Sequence, residues 1–290
     1  MAAEFGSGDS WTILSPIEQS IKRKIEAVGV PLKDWDVKIN RGILTGCNEA
    51  FIINGAKRAE LISKDPKSDE IIRPILRGRD IKRYGYEFAD QYVIAAHNGY
   101  CDENGNEIPP INIDDYIAIK THLDEYWDII SVRADKGITP YNLRNCAYMD
   151  DFSKQKIYWG EFSAFPKFSY VPETYYALNN MSFIVGSELE MIVGCLNSAI
   201  TAYYAAHNNP YGMGAYKWYQ VYTGAIPILR ITETTKQKLL PLVWEMITTG
   251  DNNSYTKINE GIFDIIGLTD EERFHIYAFI KKRQNEIKNA

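Results

Sequence analysis

The chain has 290 residues, 45% hydrophobic and 24% charged, enough to bury a core as one large domain or as a domain with an appendage. Its net charge of −6 argues against a free-standing, non-specific nucleic-acid binder, which is ordinarily basic, but leaves room for one local basic face. No stretch approaches the roughly 18 continuous apolar residues of a membrane span, and Cys47, Cys101, Cys146 and Cys195 lack the short paired spacing of a zinc site, so they read as reduced thiols of a cytoplasmic protein.

Residues 1–11 are small, Gly/Ser-rich and patternless, and read as a vector-derived leader. Ser15, Pro16 and Glu18 then open a helix, with Ile17, Ile21, Ile25 and Val28 as its apolar stripe and Gly29 as its stop. Strands are predicted at 36–40 and 50–54, joined as a hairpin by residues 41–49, and at 91–96. A helix starting at Asp114 or Asp115 carries Ile119, Leu123, Tyr126 and Ile130 and ends near Gly137. Four strands follow at 156–162, 167–171, 174–178 and 182–186. Ser187 and Glu190 form a capping box for a helix bearing Leu189, Val193, Leu196 and Ile200, and 225–231 is a strand or extended exit. The remainder reads as helix: 232–249 with Pro241 inside, where it kinks or two helices meet; a second ending at Gly267; and a third opened by Thr269 and Glu272 and carrying Phe274, Tyr277 and Ile280. The expected fold is α+β: a globule of twisted, mostly antiparallel strands over residues 12–230, flanked by the opening helix and by a helical segment at 231–290.

Catalytic signatures are missing from this pattern. There is no P-loop, no G-x-S-x-G elbow, no H-E-x-x-H and no dinucleotide fingerprint. Asn208-Asn209-Pro210-Tyr211 is one residue from the N-P-P-Y motif of adenine-N6 methyltransferases, yet it follows an amphipathic helix and reads as a helix stop.

Charge is unevenly spread instead. Residues 73–84 hold five basic residues and one acid, whereas 102–128 hold eight acids and one base. Arg77, Arg79, Lys82, Arg83 and Tyr84 form a Gly-containing turn suited to phosphate, or a solvated, ion-paired turn. Arg41, Thr45 and Asn48 sit on a loop whose Asn and Arg match base edges, or in an ordinary tight turn. Lys136, Tyr141, Asn142 and Arg144 form a third basic-aromatic segment, and Tyr211, Tyr216 and Lys217 a fourth, in a Gly loop whose Trp218 reads as core.

The same segments carry a resemblance. RGILTGCNEAFIING, IIRPILRGRDIKRY, KGITPYNLRNCAY, KQKIYWGEFSAFPKF, the LNS of residues 196–198, the glycine loop before IPI and the closing IIGLTDEE, in that order from about Leu14 onward, resemble the TaqI-like C-terminal specificity domain of type II G restriction–modification enzymes and related adenine-N6 DNA methyltransferases. The resemblance implies recognition of double-stranded DNA in a prokaryotic cytoplasm, with the four segments above facing the duplex. It implies a nuclease and a SAM-dependent methyltransferase in the same polypeptide or complex, to which SAM and Mg belong, and no catalysis or cofactor of the chain's own. A protein–protein adaptor and a methyltransferase fragment with a residual catalytic role are the alternatives.

Overall fold

The computed structural model describes residues 14–212 and 214–288; the expected leader at 1–11 lies outside them, as does Met213. A four-stranded sheet divides the molecule. Its strands are β1 (Val37–Arg41), β2 (Lys156–Gly160), β3 (Phe168–Val171) and β4 (Met181–Gly186), in the antiparallel order β3-β2-β4-β1. An antiparallel sheet usually leaves one face to water, with alternating polar residues. Here β2, β3 and β4 are buried almost throughout, because both faces are covered. Ile157, Trp159, Phe168, Tyr170 and Ile184 point into one core; Tyr158, Val171, Phe183 and Val185 point into another. Each large apolar side chain buried this way contributes roughly 1.5–3 kcal/mol.

The first core lies under helices. They are α1 (Pro16–Val28), α2 (Leu189–Leu196), α3 (Ala199–Asn208), α4 (Glu233–Thr249), α5 (Asn252–Ile266) and α6 (Asp270–Lys288). Helix α1 has the expected capping box at Ser15 and Glu18 and buries Ile21 and Ile25. Thr269 and Glu272 cap α6 reciprocally, at 3.3 and 2.8 Å. Glu272 also accepts Lys24 Nζ at 2.7 Å and Ser20 Oγ at 2.8 Å, tying α6 to α1. Burial pushes the Glu272 carboxyl up, but the bonds from Lys24, Thr269 and Ser20 outweigh it and hold it below the usual range. Helix α4 runs unbroken through Pro241.

The second core is looser in element length. A mostly antiparallel sheet of Ile52–Asn54, Gln91–Ile94, Ile72–Leu76 and Tyr176–Ala177 packs beside the short helices Gly55–Lys64 and Ile117–Asp124. Among the described residues no helix is long and apolar enough to cross a membrane.

Several expectations are corrected. Residues 37–41 and 52–54 are not a hairpin: they pair with β4 and with Gln91–Ile94 in different sheets. The chain leaves β1 where a Cβ on Gly42 would stand 2.0 Å from the Leu178 carbonyl oxygen, so close backbone approach, not a tight turn, requires that glycine. Residues 48–51 form a helical turn that buries Ala50 and Phe51. The helix expected from Asp114 to Gly137 is interrupted. Glu125 and Tyr126 donate to carbonyls three residues back, and a new turn, Trp127–Ile130, lets Ile130 enter the core. The Ser187–Glu190 capping box does not form, because Glu188 takes a left-handed φ of 56° and Glu190 accepts the Tyr170 hydroxyl at 3.0 Å instead. Ile200 belongs to α3, which Ser198 caps. Gly29 does stop α1, as expected, and continues into extended chain paired with Leu229. Phe274 is 75% exposed, and Ile276 fills the core in its place.

Candidate nucleic-acid interface

Strand register gathers the predicted cations at one end of the central sheet. Arg41 pairs with Ser182, Gly160 with Met181, and Phe168 with Trp159, so all lie at the same edge. Beyond Gly160 the chain continues into Phe162–Ser163, which pairs with Ala215–Lys217 and through it with Tyr211–Gly212. Gly78 packs over Gly160, whose added Cβ would lie 3.7 Å from the Gly78 Cα. That contact brings the Arg77–Asp80 turn to the same edge. Arg144, Asn145 and Arg41 line a common cleft of about 280 Å³. Arg41, Arg77, Arg79, Arg144 and Lys217, from four separate segments of the chain, therefore share one rim.

Their partners differ. Arg41 reaches the Asn179 carbonyl and Glu161 Oε1 at 2.7 Å, and its side chain remains 53% exposed. Arg144 pairs with Asp135 at 3.1 Å and is 63% exposed. Arg77 is spent on the turn. Its Nε and terminal nitrogen donate to the two Asp80 oxygens at 2.9 Å each, and its backbone N–H binds the same carboxylate. Arg79 is exposed, and among the described residues it pairs with no carboxylate. The turn thus uses one arginine as a brace and presents the next. The Lys217 ammonium lies 5.8 Å from the Tyr219 ring centroid.

The rest of the Arg-rich segment runs along β3, away from this edge. Tyr84 is fully buried at a φ of 71°, a strained value for a bulky residue. Its amide donates to the Phe168 carbonyl and its carbonyl accepts the Tyr170 amide, bolting the segment to the sheet. Its hydroxyl is buried without a partner among the described residues, and burial pushes its pKa far up. Arg83 stacks on Tyr255 of α5 at 3.9 Å, and Lys82 pairs with Glu87 at 3.1 Å.

Other candidates shape loops. Thr45 is buried and donates to Asn48 Oδ1 at 2.7 Å, leaving Asn48 exposed. Asn142 is 1% exposed; its amide nitrogen donates to the His97 and Ile111 carbonyls at 3.1 and 2.9 Å. Tyr141 donates to Asp124 at 2.5 Å, and burial together with that carboxylate raises its pKa to about 12. Lys136 is exposed and donates to the Ser131 carbonyl at 2.6 Å. Tyr211 packs on Tyr216 at 4.8 Å, and Arg283 of α6 lies 4.1 Å over the Tyr211 ring. Trp218 is buried, as expected, and donates to the Ser163 carbonyl. Asn209 caps α3 and donates to the Lys217 carbonyl, so the 208–211 segment is a helix stop that anchors the Gly loop.

Some participants escape sequence reasoning. Glu161 and Arg283 hold Arg41 and Tyr211 from distant positions, and no local pattern marks them. Phe162 reads as strand interior yet is 55% exposed at the rim. Among the described residues no three His, Cys, Asp or Glu side chains come together as a metal site.

Two solved structures share this architecture. The type IIL restriction-modification enzyme MmeI, solved in complex with DNA, superposes with a TM-score of 0.61 at 10% identity, over 91% of this chain and 37% of that one. The type IIG restriction endonuclease BpuSI superposes with a TM-score of 0.51 at 12% identity, over 87% of this chain and 33% of that one. The chain thus spans about a third of each, and at these identities the likeness establishes the fold. Curated protein sequences give no match. The family is established separately: a family profile, the TaqI-like C-terminal specificity domain, matches residues 73–228, and the chain belongs to that family.

Proposed function

We propose that this chain recognises a short double-stranded DNA sequence on behalf of a restriction–modification enzyme, and that the basic rim meets the duplex. The observation that carries the reading is convergence. On a chain of net charge −6, four separate segments deliver Arg41, Arg79, Arg144 and Lys217 to one end of one sheet. Membership of a family of specificity domains supports DNA as the partner of that surface. Phosphate contacts by these cations set register, and base edges are read by Asn48 and the arginine forks. Each good bidentate pair supplies about 1–3 kcal/mol of discrimination. Thr45, Arg77, Arg83, Tyr84, Tyr141, Asn142 and Tyr216 hold the loops that present them.

The chemistry belongs to partners. A linked adenine-N6 methyltransferase and endonuclease, with their SAM and Mg, act at the site chosen by residues 12–230. The helical segment 231–290 joins the two. A second reading, docking of a protein, rests on the exposed Trp127, Ile129, Val132 and Ile138; we assign these side chains to the catalytic neighbour. The test is selection from a pool of randomised duplexes at low and moderate salt, with sequencing of the retained DNA. An enriched motif is expected. Salt-insensitive retention without a motif would overturn the reading.

A further inference from the structure

We infer that Phe162 is a stacking wedge that enters an opened base step of the bound duplex, an inference that rests on the recognition reading above. Neighbouring large aromatics Trp159, Phe168 and Trp218 are 1% exposed or less, whereas Phe162 is 55% exposed. Its backbone is held firmly. Phe162 pairs with Lys217, Trp218 N–H donates to the Glu161 carbonyl at 2.8 Å, and Trp218 Nε1 donates to the Ser163 carbonyl at 3.0 Å. The ring is buttressed edge-on by Tyr219, with centroids 5.5 Å apart at 81°, and Val221, 71% exposed, lies two residues beyond Tyr219.

Two cations, Arg41 and Lys217, and one carboxylate, Glu161, flank this tip. Glu161, the preceding residue, holds Arg41, and the paired Lys217 lies over the supporting Tyr219. A rigid apolar ring between phosphate-binding cations fits a polyanion whose interior is a stack of flat rings. Cations settle on the backbone, and the ring takes the stacking that a base gives up when its step opens. An apolar protein surface would desolvate the Arg41–Glu161 pair and the Lys217 ammonium without adding a partner for either.

The test uses the full chain, its Phe162→Ala and Phe162→Trp variants, and a duplex of the selected motif with a single mismatch or abasic site walked through it. A defect lowers the cost of opening one step. The parent chain is expected to bind one defect position more tightly than the intact duplex. Phe162→Ala is expected to bind the intact duplex about 10-fold more weakly at every salt, with an unchanged salt slope, and to lose the defect preference. Phe162→Trp keeps both, and the exposed position leaves all melting temperatures alike. Binding by Phe162→Ala equal to the parent overturns the wedge and leaves the tip to a protein partner, while recognition stands. A uniform loss that keeps the defect preference, or a parent with no preferred defect, overturns it as well. A parent that retains no duplex fails the recognition reading itself.

Discussion

The two faces of the central sheet are built by different means. On the helical face, long elements repeat an apolar stripe and end on their own caps, as in α1 and α6. On the other face, elements of two to five strand residues are held by single side chains reaching far in sequence, such as Asn142 to His97 and Ile111. Repeated local bonds make a rigid platform. Sparse long-range bonds let loops differ in sequence while the platform stays, the arrangement expected where a scaffold carries binding residues.

Substitutions sharpen this contrast. The largest stability effect belongs to the helical face. Glu272→Ala removes a buried carboxylate from Lys24, Ser20 and the Thr269 amide, and is expected to cost about 3 kcal/mol in urea unfolding. Because the folded Glu272 pKa is lowered, its contribution is complete above the unfolded value of about 4.5 and fades as pH falls through the folded value; Glu272→Gln should flatten that acid limb. Asn142→Ala comes next. It removes the side-chain donor to the half-buried His97 and Ile111 carbonyls, of which the first keeps the Ile111 amide, at a cost of about 1 kcal/mol, and should weaken DNA binding by loosening the loop that carries Arg144. Arg79→Ala should leave unfolding within about 0.5 kcal/mol of the parent. It should reduce the salt slope of DNA binding by about 1. Arg77→Ala, by contrast, should lower stability and affinity together, because it frees Asp80 and the turn.

The smallest effect is a pH dependence on the loop face. His122 is buried, its Nε2 bonded to the Ala50 carbonyl at 3.0 Å, and burial pushes its pKa down. The unfolded chain takes up the proton first, so stability should fall as pH drops below about 6.5 and level off below the folded value. His122→Gln, which still donates to the carbonyl, should remove that slope in urea midpoints taken between pH 8 and 5.

The contrast also explains what was legible in the sequence. The α1 and α6 caps follow local rules, so Ser15, Glu18, Thr269 and Glu272 could be read directly. Strands β2 to β4 were visible because β-branched and aromatic runs bounded by turn residues need little context. The hairpin expected at 41–49 does not form because Gly42 answers to the Leu178 carbonyl, over a hundred residues away. Asn197 shows the same limit. Its amide both donates to and accepts from the Phe168 backbone, at 2.8 and 3.0 Å, a role its place in LNS does not reveal. The basic segments were legible as composition. Which arginine is brace and which is free depends on Asp80, Glu161 and Asp135 in three dimensions.

The central claim is tested most directly by the salt dependence of binding to the selected duplex, for the parent and for a variant with Arg41, Arg79, Arg144 and Lys217 all changed to Ala. The account predicts a folded variant with much weaker binding and a slope shallower by up to about 4. A folded variant that keeps the parent's affinity and slope would contradict it and move the DNA-binding surface elsewhere on the molecule.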